Sequence, residues 1–333
     1  MGKENPIKSE VISFAKVIND YLKDNLLNGR RGNIWDAAYH YIGAGGKRIR
    51  PFIIYLCYQL IKGNSSGKEI IPVASAVELL HTFSLIHDDI IDDDYLRRGV
   101  KSVHAKWGKS YAILSGDLLF AMTNVLVNKS PFSDSIKNRI LNEISTVCVD
   151  LSEGQAMDIE FEARHDISVD DYITMISLKT GALFQRCALI GGIAADASES
   201  SLQALSDYGL NIGISFQIID DILDVFGEEH LLGKTACSDM INQKKTFLML
   251  KAPEIMNENN RKKLEGIQAK KKLDKSDIES VIDLLAKSGV DEECRKISEE
   301  YAERACLALD NFPDSPIKDK LNGIAHIMLA RRN

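Results

Sequence analysis

Apolar side chains return at three- and four-residue steps along nearly the whole chain, and only seven prolines interrupt its 333 residues. Ile7, Val11, Phe14, Ile18 and Leu22 show the pattern near the start, where they form one face of an amphipathic helix. Turn and cap signals divide the sequence into helices at about 5–28, 33–42, 51–62, 69–92, 109–128, 133–162, 169–192, 198–225, 240–256, 274–287, 291–310 and 317–331. Several exceed twenty residues, about 30 Å, and are apolar on more than one side, as the surrounded members of a bundle are. No Gly/Ser-rich or charged low-complexity tract marks a linker, and a chain this long can bury a large core. The expected fold is all-α: one large single-domain helical bundle over 1–333, with Val77, Leu80 and Ser84 lining a deep groove.

A net charge of −7 argues against nucleic acid or an anionic membrane as the main partner. Cys57, Cys148, Cys187, Cys237, Cys294 and Cys306 form no C-x-x-C pair, so neither a zinc site nor a disulfide framework is expected and a reducing cytoplasm fits. No apolar run approaches 18 residues, no signal-peptide pattern opens the sequence, and Pro6 stands where an acylation signal needs Ser or Thr. A cytoplasmic protein without a membrane span is expected.

Two copies of one acidic pattern stand out, Asp88-Asp89-Ile90-Ile91-Asp92 and Asp220-Asp221-Ile222-Leu223-Asp224. Positions i, i+1 and i+4 of a helix lie near one edge, so each copy is expected to present three carboxylates to one spot. Such a spot repels itself unless a cation sits within it, and clustered hard oxygens favour magnesium, which keeps substrate phosphates in its shell. His81 shares a stripe with Asp88 and Asp92, and Gln217 shares one with the second motif. One such motif reads equally well as a solvated helix end. Two copies, each preceded by an apolar run, point to stripes that face each other inside a bundle, because scattered buried carboxylates are costly.

Basic residues beside turns are candidates for the site of an anionic partner, although each alone reads as ordinary surface charge. Gly45-Gly46-Lys47-Arg48-Ile49-Arg50-Pro51 combines a glycine turn, a basic cluster and a proline suited to a helix start, although a solvated basic turn has the same composition. Arg97-Arg98-Gly99, Lys179-Thr180-Gly181, Gly233-Lys234 and Lys244 stand near the acidic motifs, as a highly charged phosphate ligand requires.

With these motifs the sequence resembles the trans-prenyltransferases, or isoprenyl diphosphate synthases, almost from end to end. The likeness runs through G-G-K-R-I-R-P at 45–51, E-L-L-H-T-F-S-L-I-H-D-D-I-I-D at 78–92, R-R-G at 97–99 and G-D at 116–117. It continues in E-G-Q-A-M-D at 153–158, K-T at 179–180, F-Q-I-I-D-D-I-L-D at 216–224, G-K at 233–234 and K-K-T at 244–246. The resemblance implies an isoprenoid-synthase bundle around a central cavity, two or three Mg2+ ions per active site, and a homodimer. It implies that Asp88, Asp92, Asp220 and Asp224 hold magnesium on the allylic diphosphate, with Asp89 and Asp221 in support. Lys47, Arg50, His81 and Arg98 would bind isopentenyl diphosphate, and Arg97, Lys179, Thr180, Gln217, Lys234 and Lys244 would surround the allylic diphosphate. Two departures are visible: Lys101 stands where relatives often have proline, and Ile241, Asn242 and Gln243 replace an Arg-Glu-Gly stretch, which puts Lys244 in doubt.

The implied reaction is ionisation, condensation and elimination, with released diphosphate as the base and no side-chain nucleophile. His87 is read either as a metal-site neighbour or as an ordinary hydrogen-bonded helix residue. Phe83 lies about 7.5 Å below Asp88 along the helix and is followed by small Ser84. That pair resembles archaeal-type geranylgeranyl diphosphate synthases and makes geranylgeranyl diphosphate the expected product, although Phe83 is about 140° from Asp88 on the wheel and core packing accounts for it as well. Farnesyl or longer polyprenyl synthesis is the alternative. A terpene cyclase lacks the second D-D-x-x-D, an HD-type phosphohydrolase needs further spaced histidines, and an inactive regulatory subunit would not keep both motifs complete.

Overall fold

The computed structural model describes residues 6–63, 65–164, 166–227, 237–242, 244–270 and 272–329, nearly all of them helical. They group into two units, one of Met1–Thr146, Arg186–Ser206 and Asn311–Ile324, the other of Val147–Gln185, Asp207–Asp310 and Ala325–Asn333. The first begins with α1 (Pro6–Leu27), α2 (Asn33–Gly43), α3 (Ile49–Lys62) and α4 (Ile71–Ile91). A hairpin of β1 (Leu96–Arg97) and β2 (Val100–Lys101) follows, then α5 (Val103–Trp107), α6 (Lys109–Asn128) and the start of α7 (Asp134–Glu162). In the second unit α8 (Val169–Ile176) runs through a π turn, Ser177–Gly181, into α9 (Ala182–Ala194). Then come α10 (Glu199–Phe226), α11 (Ser238–Ile241), α12 (Phe247–Ile255), α13 (Glu258–Gln268), α14 (Lys275–Ser288), α15 (Val290–Ala308) and α16 (Pro316–Leu329). The chain crosses between units inside α7, α9, α10 and α16, where no change of composition marks the crossing, and once more at Asp310/Asn311 in the loop before α16.

In the first unit α4 is the surrounded helix. Val73, Ala74, Ala76, Val77, Leu79 and Leu80 point in every direction around it and are at most 1% exposed. Pro72 sits in its first turn, and the left-handed backbone of Asp93, φ 54°, follows its end. Along its pairing with α6, a β-carbon at Gly116 would collide with the His87 ring, so glycine sets the approach. The hairpin turn is Arg98-Gly99, both at positive φ as a type I′ turn requires.

Arg48 organises the basic loop from inside. Its buried guanidinium donates to Glu78 Oε1 at 2.6 Å, to the Ile42 carbonyl at 2.8 Å and to Asn19 Oδ1 at 2.8 Å, tying α1, α2 and α4 together. The second unit is built on Tyr172, Ile176, Ile218, Ile222, Phe247, Leu248, Val281 and Leu285, all buried. Capping boxes at Ser168/Asp171 and Asp274/Asp277 start α8 and α14.

Several sequence expectations change. Residues 169–192 are not one helix but two joined by the π turn, and 240–256 splits where Thr246 caps α12. The α13 helix has only Leu264 buried, so no apolar stripe announced it. By average hydropathy Lys68–Ile91 and Lys109–Asn128 are long and apolar enough to cross a membrane, because a few polar residues break an apolar run yet leave its mean high. In the first of these, 61% of the window is buried in the protein, as in a core helix.

Glu78→Ala leaves the Arg48 guanidinium buried without its counter-charge, and urea unfolding followed by circular dichroism should show a loss of about 3–5 kcal/mol.

Candidate active site

The three carboxylates of the first motif do not converge as the spacing suggested. Asp88 and Asp92 lie about 40° apart on the wheel and stay half-buried on one edge, whereas Asp89 is turned about 100° from Asp88 into the interior and is fully buried. There it accepts a very short hydrogen bond from the Tyr41 hydroxyl of α2. Arg97 adds Nε and Nη2 donors to Asp89 Oδ1 at 2.8 and 2.5 Å. Burial pushes the Asp89 carboxyl above its ordinary range while Arg97 opposes the shift. Burial also works against the Arg97 charge, but Asp89 more than restores it and raises the guanidinium pKa.

His81, seven residues before Asp88, lies among guanidiniums. Arg50 Nη1 donates to its Nε2 at 3.2 Å, which makes that nitrogen the acceptor of a neutral ring. Burial, then Arg50, Arg98, Arg48 and Arg97, holds the imidazole pKa well below its ordinary value. Arg98 is fixed by donation from Nη1 to the Gly45 and Tyr41 carbonyls at 2.6 and 3.1 Å, and burial lowers its pKa. The structure thus brings Arg50, His81 and Arg98 together, while Lys47, in the turn before α3, is exposed. The Phe83 ring packs against His87 at 4.8 Å and Phe120 of α6 at 5.5 Å, and the Ser84 hydroxyl turns back to the His81 carbonyl.

The second motif repeats the device. Asp221 is buried and accepts from the Tyr172 hydroxyl at 2.5 Å, the Phe247 N–H at 2.8 Å and Gln217 Nε2 at 2.9 Å. Gln217 Oε1 in turn accepts from the Thr180 hydroxyl at 2.8 Å, so the expected Gln217 and Thr180 form one chain with Asp221. Burial raises the Asp221 pKa to about 7 in spite of these donors. Asp224 is also buried and accepts from the Asp239 N–H at 3.2 Å, which fixes the start of α11, while Asp220 remains half-buried. Lys179, carried by the π turn, and Lys244 both reach Asp158. Lys234 lies outside the described residues.

Tyr41, Tyr172, Arg48 and Asp158 are the site residues that sequence reasoning missed. Asp158 closes the E-G-Q-A-M-D segment and was within reach; the tyrosines carry no local signal. Among the described residues no three His, Cys, Asp or Glu side chains converge to hold a metal ion unaided. An open set of carboxylate oxygens suits magnesium, which retains waters and phosphate oxygens.

A profile of polyprenyl synthetases matches residues 33–285. The chain belongs to the polyprenyl synthetase family. A relative within it, the geranylgeranyl diphosphate synthase of Saccharolobus solfataricus, is 35% identical over 328 residues, covering 96% of this chain and 97% of that one. The crystal structure of geranylgeranyl pyrophosphate synthetase from Pyrococcus horikoshii superposes with a TM-score of 0.88 at 36% identity over 98% of both chains. Polyprenyl synthase from Caulobacter crescentus, crystallised with calcium and isoprenyl diphosphate, matches at 28% identity and a TM-score of 0.89 over 100% of both chains. The all-α fold of this polyprenyl synthetase is therefore the fold of isoprenyl synthases.

Because the folded-state pKa of Asp221 is raised, the native protein binds a proton that the unfolded chain gives up between about pH 4 and about pH 7. Stability of the chelator-treated protein should fall by up to a few kcal/mol as pH rises through that window. Asp221→Asn should flatten this slope in urea melts taken at each pH.

Proposed function

We propose that this polyprenyl synthetase joins isopentenyl diphosphate head-to-tail to dimethylallyl, geranyl or farnesyl diphosphate, with geranylgeranyl diphosphate as its product. One observation carries the reading: in both acidic motifs the second aspartate is anchored inside by a tyrosine while the first stays at the surface of its helix. That arrangement suits carboxylates held ready for cations and a diphosphate rather than an acid–base pair.

Lys47, Arg50, His81 and Arg98 are the proposed isopentenyl diphosphate ligands. Guanidiniums pair with phosphate oxygens in a fixed geometry, and a neutral His81 adds a ring nitrogen without further charge. Arg97, Lys179, Thr180, Gln217 and Lys244 are assigned to the allylic diphosphate, as is Lys234. Magnesium, two or three ions per site, is the proposed cofactor, with Asp88, Asp92, Asp220 and Asp224 as its ligands and Asp89 and Asp221 as their supports. When bound it would neutralise charge on the departing diphosphate.

The carbon–oxygen bond of the allylic substrate breaks, and its electron pair leaves with the diphosphate. Lys179 and Lys244 stabilise that charge electrostatically. The double bond of isopentenyl diphosphate then forms the new carbon–carbon bond, and a proton is lost to the released diphosphate. An apolar surround keeps water from the cation; Val77 and Leu80, expected to line a groove, are instead fully buried in the core. Phe83, braced by Phe120, is the proposed floor under the growing chain.

A single domain acting as a homodimer in the cytoplasm completes the proposal. On α6 Ile113, Leu114, Phe120 and Val125 are 36–56% exposed, a large apolar edge that a second copy would cover. All six cysteines are free thiols, as a reducing compartment permits.

Incubation with labelled isopentenyl diphosphate, each allylic primer and magnesium, followed by chain-length analysis, should give a twenty-carbon product. Asp88→Ala or Asp220→Ala should cut turnover by orders of magnitude with helix content unchanged; full activity in either would remove the metal assignment. Phe83→Ser should lengthen the product, and an unaltered product would rule out the floor.

A further inference from the structure

The E-G-Q-A-M-D segment at 153–158 has no role in the reaction as described so far, yet it lies against the residues that do. A β-carbon at Gly154 would collide with the backbone of Lys179, so glycine allows α7 to press on the π turn. One turn later, Asp158 projects from the same edge of the helix. Its Oδ2 lies 2.5 Å from Lys179 Nζ and 3.9 Å from Lys244 Nζ, with the three side chains 9, 22 and 12% exposed. Gln155 shares that edge, and its amide oxygen and nitrogen are buried without a protein partner.

Two ammonium groups gathered at one oxygen in a poorly solvated place repel each other strongly. A carboxylate between them makes the arrangement tolerable. The segment bearing Lys244 differs from relatives between Asp239 and Lys244, yet its backbone still turns the lysine inward. The Lys244 N–H donates to the Asp239 carbonyl at 2.9 Å, and the Thr246 N–H donates to the Lys244 carbonyl at 3.1 Å. Asp239 is itself anchored to Asp224. Both lysines are thus delivered to Asp158 by elements fixed elsewhere in the same unit.

We propose that Asp158 is a positioning residue that gathers Lys179 and Lys244 into one receptor for the diphosphate of the allylic substrate, an assignment that rests on the function proposed above. Asp158 does not touch the reacting atoms. It sets the spacing of two cations that do, which a lysine pair without a shared anion cannot keep. Isopentenyl diphosphate, assigned to Lys47, Arg50, His81 and Arg98, meets neither lysine in that assignment.

The test compares the full-length protein with Asp158→Asn and Asp158→Glu. In Asp158→Asn the KM for geranyl diphosphate should rise about tenfold while the KM for isopentenyl diphosphate stays within about twofold, and Asp158→Glu should recover part of the loss. A parallel rise in both KM values would mark a general structural role and overturn the proposal. An unchanged KM for geranyl diphosphate would overturn it too, and so would a lower one, which would make Asp158 a competitor of the ligand. Should Asp158→Asn not fold, Asp158→Glu must show the same selective rise in smaller measure, and its absence overturns the idea. Calorimetric binding of inorganic diphosphate with magnesium separates this from the underlying reading. Weaker binding in the variant supports the receptor even if the wild-type protein transfers no prenyl group, and equal binding removes it even if the transfer is confirmed.

Discussion

Each acidic motif has to hold several negative charges close together on one helix before any ligand arrives. An unpaired carboxylate in the interior is costly, and a cluster of them at one helix edge repels itself. Each unit resolves the conflict in the same way. The second aspartate of the motif is withdrawn from the cluster and buried against a tyrosine hydroxyl, Tyr41 for Asp89 and Tyr172 for Asp221. The helix edge then carries fewer exposed charges, and the buried carboxylate fixes the rotation of the helix that bears them. Removing one donor from such a group would leave a desolvated oxygen, which is why the anchors constrain the motif strongly.

A similar division separates two neighbouring cations. Arg48 and Arg50 are two residues apart, but Arg48 is spent inside the protein on Glu78, Asn19 and Ile42, while Arg50 donates to His81. Counting basic residues in the G-G-K-R-I-R-P segment therefore overstates the charge it leaves uncompensated. His81 is held neutral first by burial and then by the guanidiniums around it, so the ring adds a polar atom there without adding a further cation.

Much of this was legible in the sequence, for definite reasons. Long helices such as α4 and α10 announce themselves because their apolar positions keep helical spacing over many turns, and the acidic motifs stand on them at fixed offsets. His81 and Gln217 follow from the helical stripes and Arg97, Thr180 and Lys179 from family motifs; the structure joins the first four to an acidic motif or to Arg50, and Lys179 to Asp158. What sequence did not disclose depends on contacts between distant segments. Tyr41 meets Asp89 across 48 positions and Tyr172 meets Asp221 across 49, and neither tyrosine differs locally from a core aromatic. The hairpin of two-residue strands is too short for alternation to register, and α13 is too polar to show a stripe. The claim that three carboxylates share one spot failed because a 100° step between neighbours matters when one side of the helix is buried.

The two anchors nevertheless differ in how their charge is compensated. Asp89 has a guanidinium on one oxygen, so its ionised form is opposed by burial but supported by a full positive charge. The groups that lower the Asp221 pKa are all neutral donors: a phenol, a backbone N–H and an amide. Neutral hydrogen bonds recover only part of the solvation lost by an ion, so Asp221 titrates near neutrality. A carboxylate left so incompletely compensated responds to any positive charge that approaches, more than one already paired does. The second motif is thus the electrostatically unfinished one, with its fold already bearing the cost of concentrating charge. Fixing dipoles and charges in advance of the ligand is the preorganisation on which electrostatic catalysis depends.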